Sequence, residues 1–594
     1  MASLTSKPRL LGYLSLALAL AFGGWMYWRS SQQLLWGHAT LFFYVFLVAG
    51  YVLLRNARAD GSWRPDARLA PLAGLLLGVG FNGTFGVLPA LFVGFVPLFV
   101  LYGRLRARGA GYGEVFRHGF TAFLIFNVLT TYWVTNTGFA AGFFAVLANA
   151  VLMTLPWLLL YATGRRSPRT ALLAFAAGWL SFEYMHYHWE LNWPWLALGN
   201  GLAQWPALVQ WYEVTGVAGG TAWVLAVNYL CFSTFFAPAS APEQAFARRP
   251  RWPLALAVLL PVAVSLVRFW TYAPPPGETI AVAAVNGNFE PHYEKFASRA
   301  EQATLDTFQR LSAAALRAGP VDFLVFPETS FGQIREEDPL TAPSLRALRA
   351  GLDPAGVGYL MTGFSGYHRF GPNEPTTPAV RYAGGNRTTA YEALNGALLV
   401  TPRGDSVQTY RKGVFVPGAE SFPFRRFLPF MEPLVASVGG SVAGLGTQAE
   451  RTPFVTPRAR VAPVICYESV FGEYFTEYVR RGAQAIFVVT NDGWWGNTAG
   501  HRQHLWYSSL RAIETRRPVV RAANLGACAF IDQRGRILSR TAYDRAGFLR
   551  GTLRLNDALT PYVRYGDLTS RVALLLLVLV LLNNVARWLR PAAD

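Results

Sequence analysis

Charge is scarce in this chain, and negative charge scarcer still. Of 594 residues, 15% are charged, with 34 Asp and Glu against 53 Lys and Arg. Soluble enzymes carry about 25%, so an ordinary soluble globule does not fit. Cysteine is also scarce: Cys231, Cys466 and Cys528. Three thiols are too few, and odd in number, for a disulfide framework. The clustered Cys/His spacing of a zinc site is missing, and neither a metal nor an organic cofactor is expected. No collagen-like, coiled-coil or low-complexity repeat occurs. Apolar residues are what the chain has in excess: 52% of the total, with 19 Trp and a mean hydropathy of +0.25. Such an excess needs lipid around it, and indoles favour the membrane–water boundary. The length asks for at least two domains.

Apolar runs long enough for hydrocarbon fill the first ~275 residues. The expected spans lie near Leu10–Trp28, Leu34–Leu54, Leu69–Phe81, Gly86–Tyr102, Phe120–Val134, Phe139–Ala162, Ala171–Tyr187, Gly216–Phe236 and Pro253–Tyr272. A tenth, Val572–Trp588, closes the chain. The connections alternate in charge. Lys7 and Arg9 precede the first span. Arg55, Arg58, Arg64 and Arg68 follow the second, and Arg104, Arg106, Arg108 and Arg117 the fourth. Arg165, Arg166 and Arg169 follow the sixth, Arg248, Arg249 and Arg251 the eighth, and Arg587 and Arg590 the last. Basic short loops stay cytoplasmic. Nine spans from a cytoplasmic start leave segment 276–565 outside and return the tail to the cytoplasm. Much of the net charge of +19 is thereby accounted for, and no nucleic-acid partner is expected. One outer loop, Tyr187–Gly216, holds Trp189, Trp193, Trp195, Trp205 and Trp211. It reads as an interfacial aromatic belt or as a wall admitting lipid tails to an external site.

After Ala273-Pro-Pro-Pro-Gly277 the pattern becomes alternating short strands and helices. Strands are expected at Thr279–Val285, Val321–Phe326, Val357–Gly363, Ala397–Thr401, Val461–Cys466, Ala485–Thr490, Val519–Ala523 and Ala529–Asp532. Helices are expected at Tyr293–Ala318, Val470–Arg481 and His501–Arg517. This alternation predicts a layered α/β domain. The fold class is therefore a polytopic α-helical membrane domain plus an α/β extracytoplasmic domain. Active sites of such sheets gather at the carboxyl ends of strands, where Glu328 and Cys466 fall. Cys466 ends Val461-Ala-Pro-Val-Ile465, where a strand-to-helix elbow can expose a nucleophile; a buried structural thiol is the alternative. A thiol needs a base, and a buried carboxylate such as Glu328 can serve. Acyl transfer needs a charge to hold the oxyanion. Lys412, one of few lysines, could supply it, or be a surface residue.

Together these residues resemble a known triad. Phe326-Pro-Glu-Thr329, Tyr410-Arg-Lys412 and Val464-Ile-Cys-Tyr-Glu468 stand in the order found in the carbon–nitrogen hydrolase (nitrilase) superfamily. Asn286-Gly-Asn288, Val416-Pro-Gly-Ala-Glu420, Asn491-Asp-Gly-Trp-Trp-Gly-Asn497, His501-Arg-Gln-His504 and Arg516-Arg-Pro-Val519 resemble its apolipoprotein N-acyltransferase branch. The resemblance implies an αββα nitrilase-like sandwich. It implies Glu328 as general base, Lys412 as oxyanion stabiliser and Cys466 as nucleophile, with Glu420, Tyr467, Glu468 and Asn395 supporting them. It implies a thioester drawn from a phospholipid, phosphatidylethanolamine being typical. The acceptor would be the amino terminus of a diacylglyceryl-cysteine apolipoprotein. The location would be the bacterial inner membrane, with the catalytic domain periplasmic; a monomer is expected. The domains would be 1–68, two helices beyond the family's usual eight; 69–275, the core helices; 276–565, the catalytic domain; and 566–594, the last helix and tail. Two positions depart from the pattern. Gly418-Ala419 replaces Phe-Gly before Glu420, and where a tryptophan is usual after the first strand the chain offers Phe296, offset by about one residue. The rival readings are a membrane-tethered nitrilase-type amidase or hydrolase, a transporter with an unrelated exterior domain, and an inactive homologue. Few ionisable residues lie within the spans, Glu183 and His186 near the end of the seventh, and Glu328, Lys412 and Cys466 are intact.

Overall fold

The computed structural model describes residues 7–58, 62–64, 66–237, 250–292, 300–352, 356–384, 388–433 and 444–589. Arg248, Arg249, Phe296 and Arg590 lie outside them, as does the start of the helix expected from Tyr293. The helices of the first half are α1 (Lys7–Ser31), α2 (Ala39–Asn56), α3 (Leu69–Gly80), α4 (Leu88–Leu91), α5 (Val96–Ala107) and α6 (Tyr112–Thr131), then α7 (Phe139–Arg166), α8 (Ala171–His188), α9 (Tyr212–Phe235) and α10 (Trp252–Thr271).

Ten spans were expected. Among the described residues, seven helices are long and apolar enough to cross a membrane, counting α4 and α5 as one segment. The other three fall short for readable reasons. Helix α3 has 12 residues. Helices α6 and α8 carry polar side chains, among them His118, Asn127, Thr130, Ser181, Glu183 and His186, all buried inside the bundle. The fourth expected span is broken between α4 and α5. Backbone groups freed in hydrocarbon need partners, and Asn228 of α9 supplies them. Its Nδ2 donates to Leu91 O (3.0 Å) and its Oδ1 accepts from Phe95 N (2.7 Å). Glu183 is likewise structural. It accepts from Trp179 Nε1 (2.8 Å), Leu198 N (2.8 Å) and Thr221 Oγ1 (2.6 Å), pinning the tryptophan-rich loop to α8 and α9. Helices α1 and α2 pack through small residues: a Cβ on Gly50 would lie 2.6 Å from Leu16.

The second half contains β1 (Thr279–Asn286), α11 (Ala300–Leu316), β2 (Val321–Val325), β3 (Phe331–Arg335), α12 (Pro343–Ala350), β4 (Val357–Arg369), β5 (Arg381–Ala383), β6 (Thr389–Val400) and β7 (Val407–Arg411). It continues with β8 (Phe454–Val455), β9 (Arg460–Ile465), α13 (Gly472–Arg480), β10 (Ala485–Thr490), α14 (Ala499–Thr515), β11 (Val519–Ala523), β12 (Ala529–Ile531), β13 (Ile537–Arg540) and β14 (Gly547–Arg554). The chain ends in α15 (Pro561–Tyr565) and α16 (Leu568–Leu589). Among the described residues the strands form an eight-stranded and a six-stranded sheet. The first runs β14-β1-β2-β4-β6-β5, with β3 on β4 and β7 on β6; the second runs β13-β12-β11-β10-β9-β8. Their apolar faces meet: Val282, Phe323 and Met361 pack in one core with Val464, Ile486, Val488 and Val520. Leu305 and Phe308 of α11 and Leu345 of α12 cover the other face of the larger sheet. Helices α13 and α14 cover the smaller sheet, giving four layers, αββα.

The outer side of α14 is as apolar as its inner side. Tyr507, Leu510 and Ile513 join the core of the bundle beside Trp195, Tyr212 and Val217. Charge then locks the docking. Arg516 Nε meets Glu213 Oε2 at 2.6 Å, and Arg268 meets the same carboxylate at 2.7 Å. The bundle loops that touch the sandwich contain no lysine or arginine: 81–87, 132–138 and 189–211. The loops that carry Arg55, Arg104, Arg108 and Arg165 lie at the opposite end, where Asp66 binds Arg104 (2.6 Å) and Arg108 (2.7 Å), whereas Arg29 and Arg268 end helices on the sandwich side.

Candidate active site

Glu328 sits in the turn after β2. The turn is laddered onto β4: Gly363 N donates to Pro327 O (3.1 Å) and Ser330 N to Gly363 O (3.0 Å). The approach is so close that a Cβ on Gly363 would lie 2.5 Å from Glu328 Cα. Lys412 follows β7, and its backbone N donates to Asn395 O of β6 (2.9 Å). Glu420 closes the next turn, where its Oε2 accepts from Val416 N (2.9 Å). Gly418 there has φ +83°. Glycine tolerates that conformation freely.

These turns bring four side chains together, three of them buried and Glu420 partly exposed. Lys412 Nζ lies 3.1 Å from Glu328 Oε1 and 2.7 Å from Glu420 Oε1. Asn395 Nδ2 donates to the same two oxygens, at 2.9 and 3.1 Å. Lys412 is 1% exposed and Glu328 4%. Burial alone would lower the lysine's pKa, but the charges of Glu328 and Glu420 hold it well above its usual value. The charged ammonium form is favoured.

Cys466 is the first residue after β9 and has φ +49°. A non-glycine residue in that region is strained, and such strain persists where the surroundings enforce it. Here they do. Glu468 receives Ile465 N at Oε2 (2.7 Å), and Gly413 N (2.6 Å) and Tyr474 Oη (2.5 Å) at Oε1. It thereby ties the elbow to the residue after Lys412. On the other side, Ser469 Oγ donates to Cys466 O (2.7 Å), and His504 Nε2 lies 3.1 Å from that oxygen. His504 Nδ1 is 2.9 Å from Asp492 Oδ1, and Arg521 holds the other oxygen at 2.5 Å. All these groups are buried. Burial raises the pKa of Asp492, but Arg521 and His504 override it and bring it far below the usual carboxylate range.

The thiol feels both charges of the first cluster. Burial raises the Cys466 pKa, the Glu328 carboxylate raises it further, and Lys412 offsets part of the rise. Such a thiol stays protonated until a base takes its proton. Tyr467 points toward the bundle: its hydroxyl donates to Asn192 O (3.1 Å), and its ring stacks on Trp195 at 6.4 Å. Trp195 also packs on Trp133 (4.8 Å) and Trp495 (5.5 Å), and Trp495 on His504 (5.3 Å). Gln503 Oε1 accepts from both Trp133 Nε1 and Trp195 Nε1, at 3.1 and 2.8 Å. Of the loop Tyr187–Gly216, Trp195 is thus buried against the site, whereas Trp205 is exposed.

All seven residues singled out in the sequence converge here. Glu328, Lys412, Glu420 and Asn395 form one cluster, and Cys466, Tyr467 and Glu468 form the elbow beside it. Ser469, Asp492 and Arg521 were missed. His504 and Asp492 stood within quoted motifs, but no spacing announced that they would meet behind the cysteine. Cys231 and Cys528 are free thiols outside this constellation.

Fold and site together define a class: a carbon–nitrogen hydrolase-type sandwich built onto a membrane bundle. Comparison with known proteins makes it particular. The carbon–nitrogen hydrolase family model matches residues 281–558, and that of the apolipoprotein N-acyltransferase N-terminal domain matches 73–230. Proteins named apolipoprotein N-acyltransferase align along most of the chain. That of Chlorobaculum tepidum is 29% identical over 516 residues, 85% of this chain and 93% of its own. That of Geobacter metallireducens is 28% identical over 527 residues, 87% and 95%. That of Ralstonia nicotianae is 30% identical over 446 residues, 73% and 75%. The chain belongs to the apolipoprotein N-acyltransferase family. It is an acyltransferase and a bacterial membrane protein.

Proposed function

We propose that the protein transfers an acyl chain from a phospholipid, phosphatidylethanolamine being the expected donor, to the α-amine of a diacylglyceryl-cysteine lipoprotein through a thioester on Cys466. One observation carries the assignment of roles. A buried carboxylate and an ammonium lie 3.1 Å apart, and a strained thiol lies in the electrostatic field of both. Glu328 takes the thiol proton, and the sulfur attacks the ester carbonyl. An S–C bond forms, the C–O ester bond breaks, and the proton passes to the departing lysophospholipid oxygen. In the second half the amine attacks the thioester. An N–C bond forms, the C–S bond breaks, and the amine's proton returns by way of Glu328 to the sulfur. Lys412 holds the oxyanion in both halves. Asn395 and Glu420 fix Lys412 and Glu328, and Glu468 fixes the elbow. Tyr467 joins it to the aromatic wall.

Transfer rather than hydrolysis needs water kept away from the thioester. The tryptophan wall and the bundle beside it support that reading. The orientation with the sandwich on the periplasmic side of the inner membrane rests on the basic loops, which gather at the end of the bundle away from it. The two helices before residue 69 are an addition to the core bundle, and 276–565 is the catalytic domain.

The test is reconstitution of the full-length protein with phosphatidylethanolamine and a diacylated lipopeptide, followed by mass spectrometry. The lipopeptide gains one acyl chain with the wild type and none with Cys466→Ala. Hydrolysis of phospholipid or of simple amides without a gain on the peptide would replace this reading with a membrane-tethered hydrolase.

A further inference from the structure

The family's N-terminal model begins at residue 73, so α1, α2 and their connection lie before it. They add little to the packed core. Among the described residues of this hairpin, Tyr44 and Val48 are the members of the bundle's buried cluster. Helix α1 turns Leu10, Leu14, Leu20, Tyr27 and Trp28 outward. An anchor would need no more than that, and among the described residues five apolar helices outside the hairpin are long enough to anchor the chain.

The connection between α1 and α2 does something an anchor does not require. It reaches the tryptophan wall of the active site. Asn136 Nδ2 donates to Gly37 O of the connection (3.1 Å) and to Trp495 O (3.0 Å). One buried amide thus joins the hairpin to the loop that carries Trp495. Leu35 Cδ1 lies 3.7 Å from where a Cβ of Gly496 would stand. The same hairpin braces the turn that carries Trp133. Tyr44 Oη is 2.8 Å from Thr135 Oγ1, and the His38 ring lies 6.0 Å from that of Tyr132. Trp133 and Trp495 pack on each other at 4.8 Å. Trp495 in turn packs on His504, which lies against the Cys466 carbonyl. Both tryptophans are therefore held from behind by a hairpin outside the family's core.

We infer that the α1–α2 hairpin is a positioning element for the acyl-donor side of the site: acting through Asn136 and Tyr44, it fixes the Trp133–Trp495 wall and so sets which phospholipid acyl chains reach Cys466. The inference rests on the thioester reading above. The physical reason is geometric. A wall of large rings selects chain length only if it cannot shift, since reaction rates are steep in small displacements. Lipid alone would leave this wall unsupported on its outer side.

The full-length protein, the Asn136→Ala and Tyr44→Phe variants and the conservative Asn136→Gln variant test it in phospholipid vesicles. Two steps are timed separately by quenching: thioester formation on Cys466 from phosphatidylethanolamines of short, medium and long acyl chains, and attack of a diacylated lipopeptide on the preformed thioester. Loss of the bridging amide should slow the first step about tenfold and flatten its chain-length preference. The second step should change by less than about twofold, with Asn136→Gln intermediate and Tyr44→Phe altering the same step. Equal slowing of both steps overturns the proposal, because that is general loosening. An unchanged first step with unchanged preference also overturns it, leaving the hairpin an anchor. A wild type that forms no thioester overturns the parent reading, and this one with it.

Discussion

The two halves of the molecule bury polar groups by opposite means. The bundle uses neutral amides and hydroxyls. Asn127 donates to Phe123 O (2.8 Å), Asn149 donates to Asn127 Oδ1 (2.7 Å), and Asn228 bridges the break between α4 and α5. Glu183 of α8, enclosed in the bundle, is met by three donors rather than by a cation. The sandwich uses full charges: Lys412 with Glu328 and Glu420, Asp492 with Arg521, and Arg411 with the fully buried Glu392 at 2.6 Å. The lesson concerns surroundings. In hydrocarbon an unpaired charge is expensive and even a paired one is rare. A protein interior between two sheets tolerates charge when partners are complete, and chemistry needs it there. The buried charge proposed for catalysis therefore sits in the sandwich, and the bundle contributes shape.

The contrast can be broken at its strongest point first. Lys412→Met removes the cation and leaves two buried carboxylates side by side. Acyl transfer should fall by at least about a thousandfold, and stability by about 3–5 kcal/mol. Adding Glu420→Gln should recover part of the stability and none of the activity, as followed by thermal unfolding beside the transfer assay.

The sandwich should also respond to acid. His501 is buried, and burial, helped by the charges of Arg502, Arg521 and Arg540 and opposed by that of Asp492, lowers its pKa to about 4. Unfolded, it titrates near 6.5. Between these values the unfolded chain binds the extra proton, so this contribution is complete above about 6.5 and is lost as pH falls toward about 4. The full span is worth up to about 3 kcal/mol. Thermal midpoints of the purified protein should fall over that window, and His501→Gln should shrink the fall. An equal fall in the variant would remove His501 from the account.

In the bundle, Asn228→Leu should cost about 1–3 kcal/mol by orphaning the backbone at the helix break. Its effect should not vary with pH over the same window, and transfer per folded molecule should hold. Smallest of all is an exposed pair of the sandwich, Arg481 with Glu450 at 2.8 Å. Arg481→Ala should change stability by about 1 kcal/mol or less, and that change should vanish in high salt.

Much of this was legible in the chain. Cys466 after an apolar run, Glu328 after Val-Phe-Pro and Lys412 after Tyr-Arg stood out because strand ends are where a sheet exposes side chains. The long apolar segments read well where composition was extreme, as in α7 and α16. Reading was less complete where polarity is internal. Helices α6 and α8 stand where spans were expected, but that their His, Asn and Glu are buried against neighbours is not revealed by a linear pattern. Strands β3, β5, β7, β8, β13 and β14 were not expected. Strand β14 (Gly547-Phe-Leu-Arg-Gly-Thr-Leu-Arg554) is half-buried along most of its length and takes its shape from antiparallel pairing with β1.

By itself the sequence determined the local terms: which segments are apolar enough for lipid, where basic residues interrupt them, which residues carry chemistry and in what order. Those follow from composition and from periods of two and 3.6, which act over a few residues. Tertiary structure alone decided which distant groups meet. It brought Asp492, His504 and Ser469 behind Cys466, laid Asn395 under two carboxylates, and set Asn136 between Gly37 and Trp495. Such meetings depend on sheet order and docking of bundle on sandwich, and neither is written in any short stretch of chain.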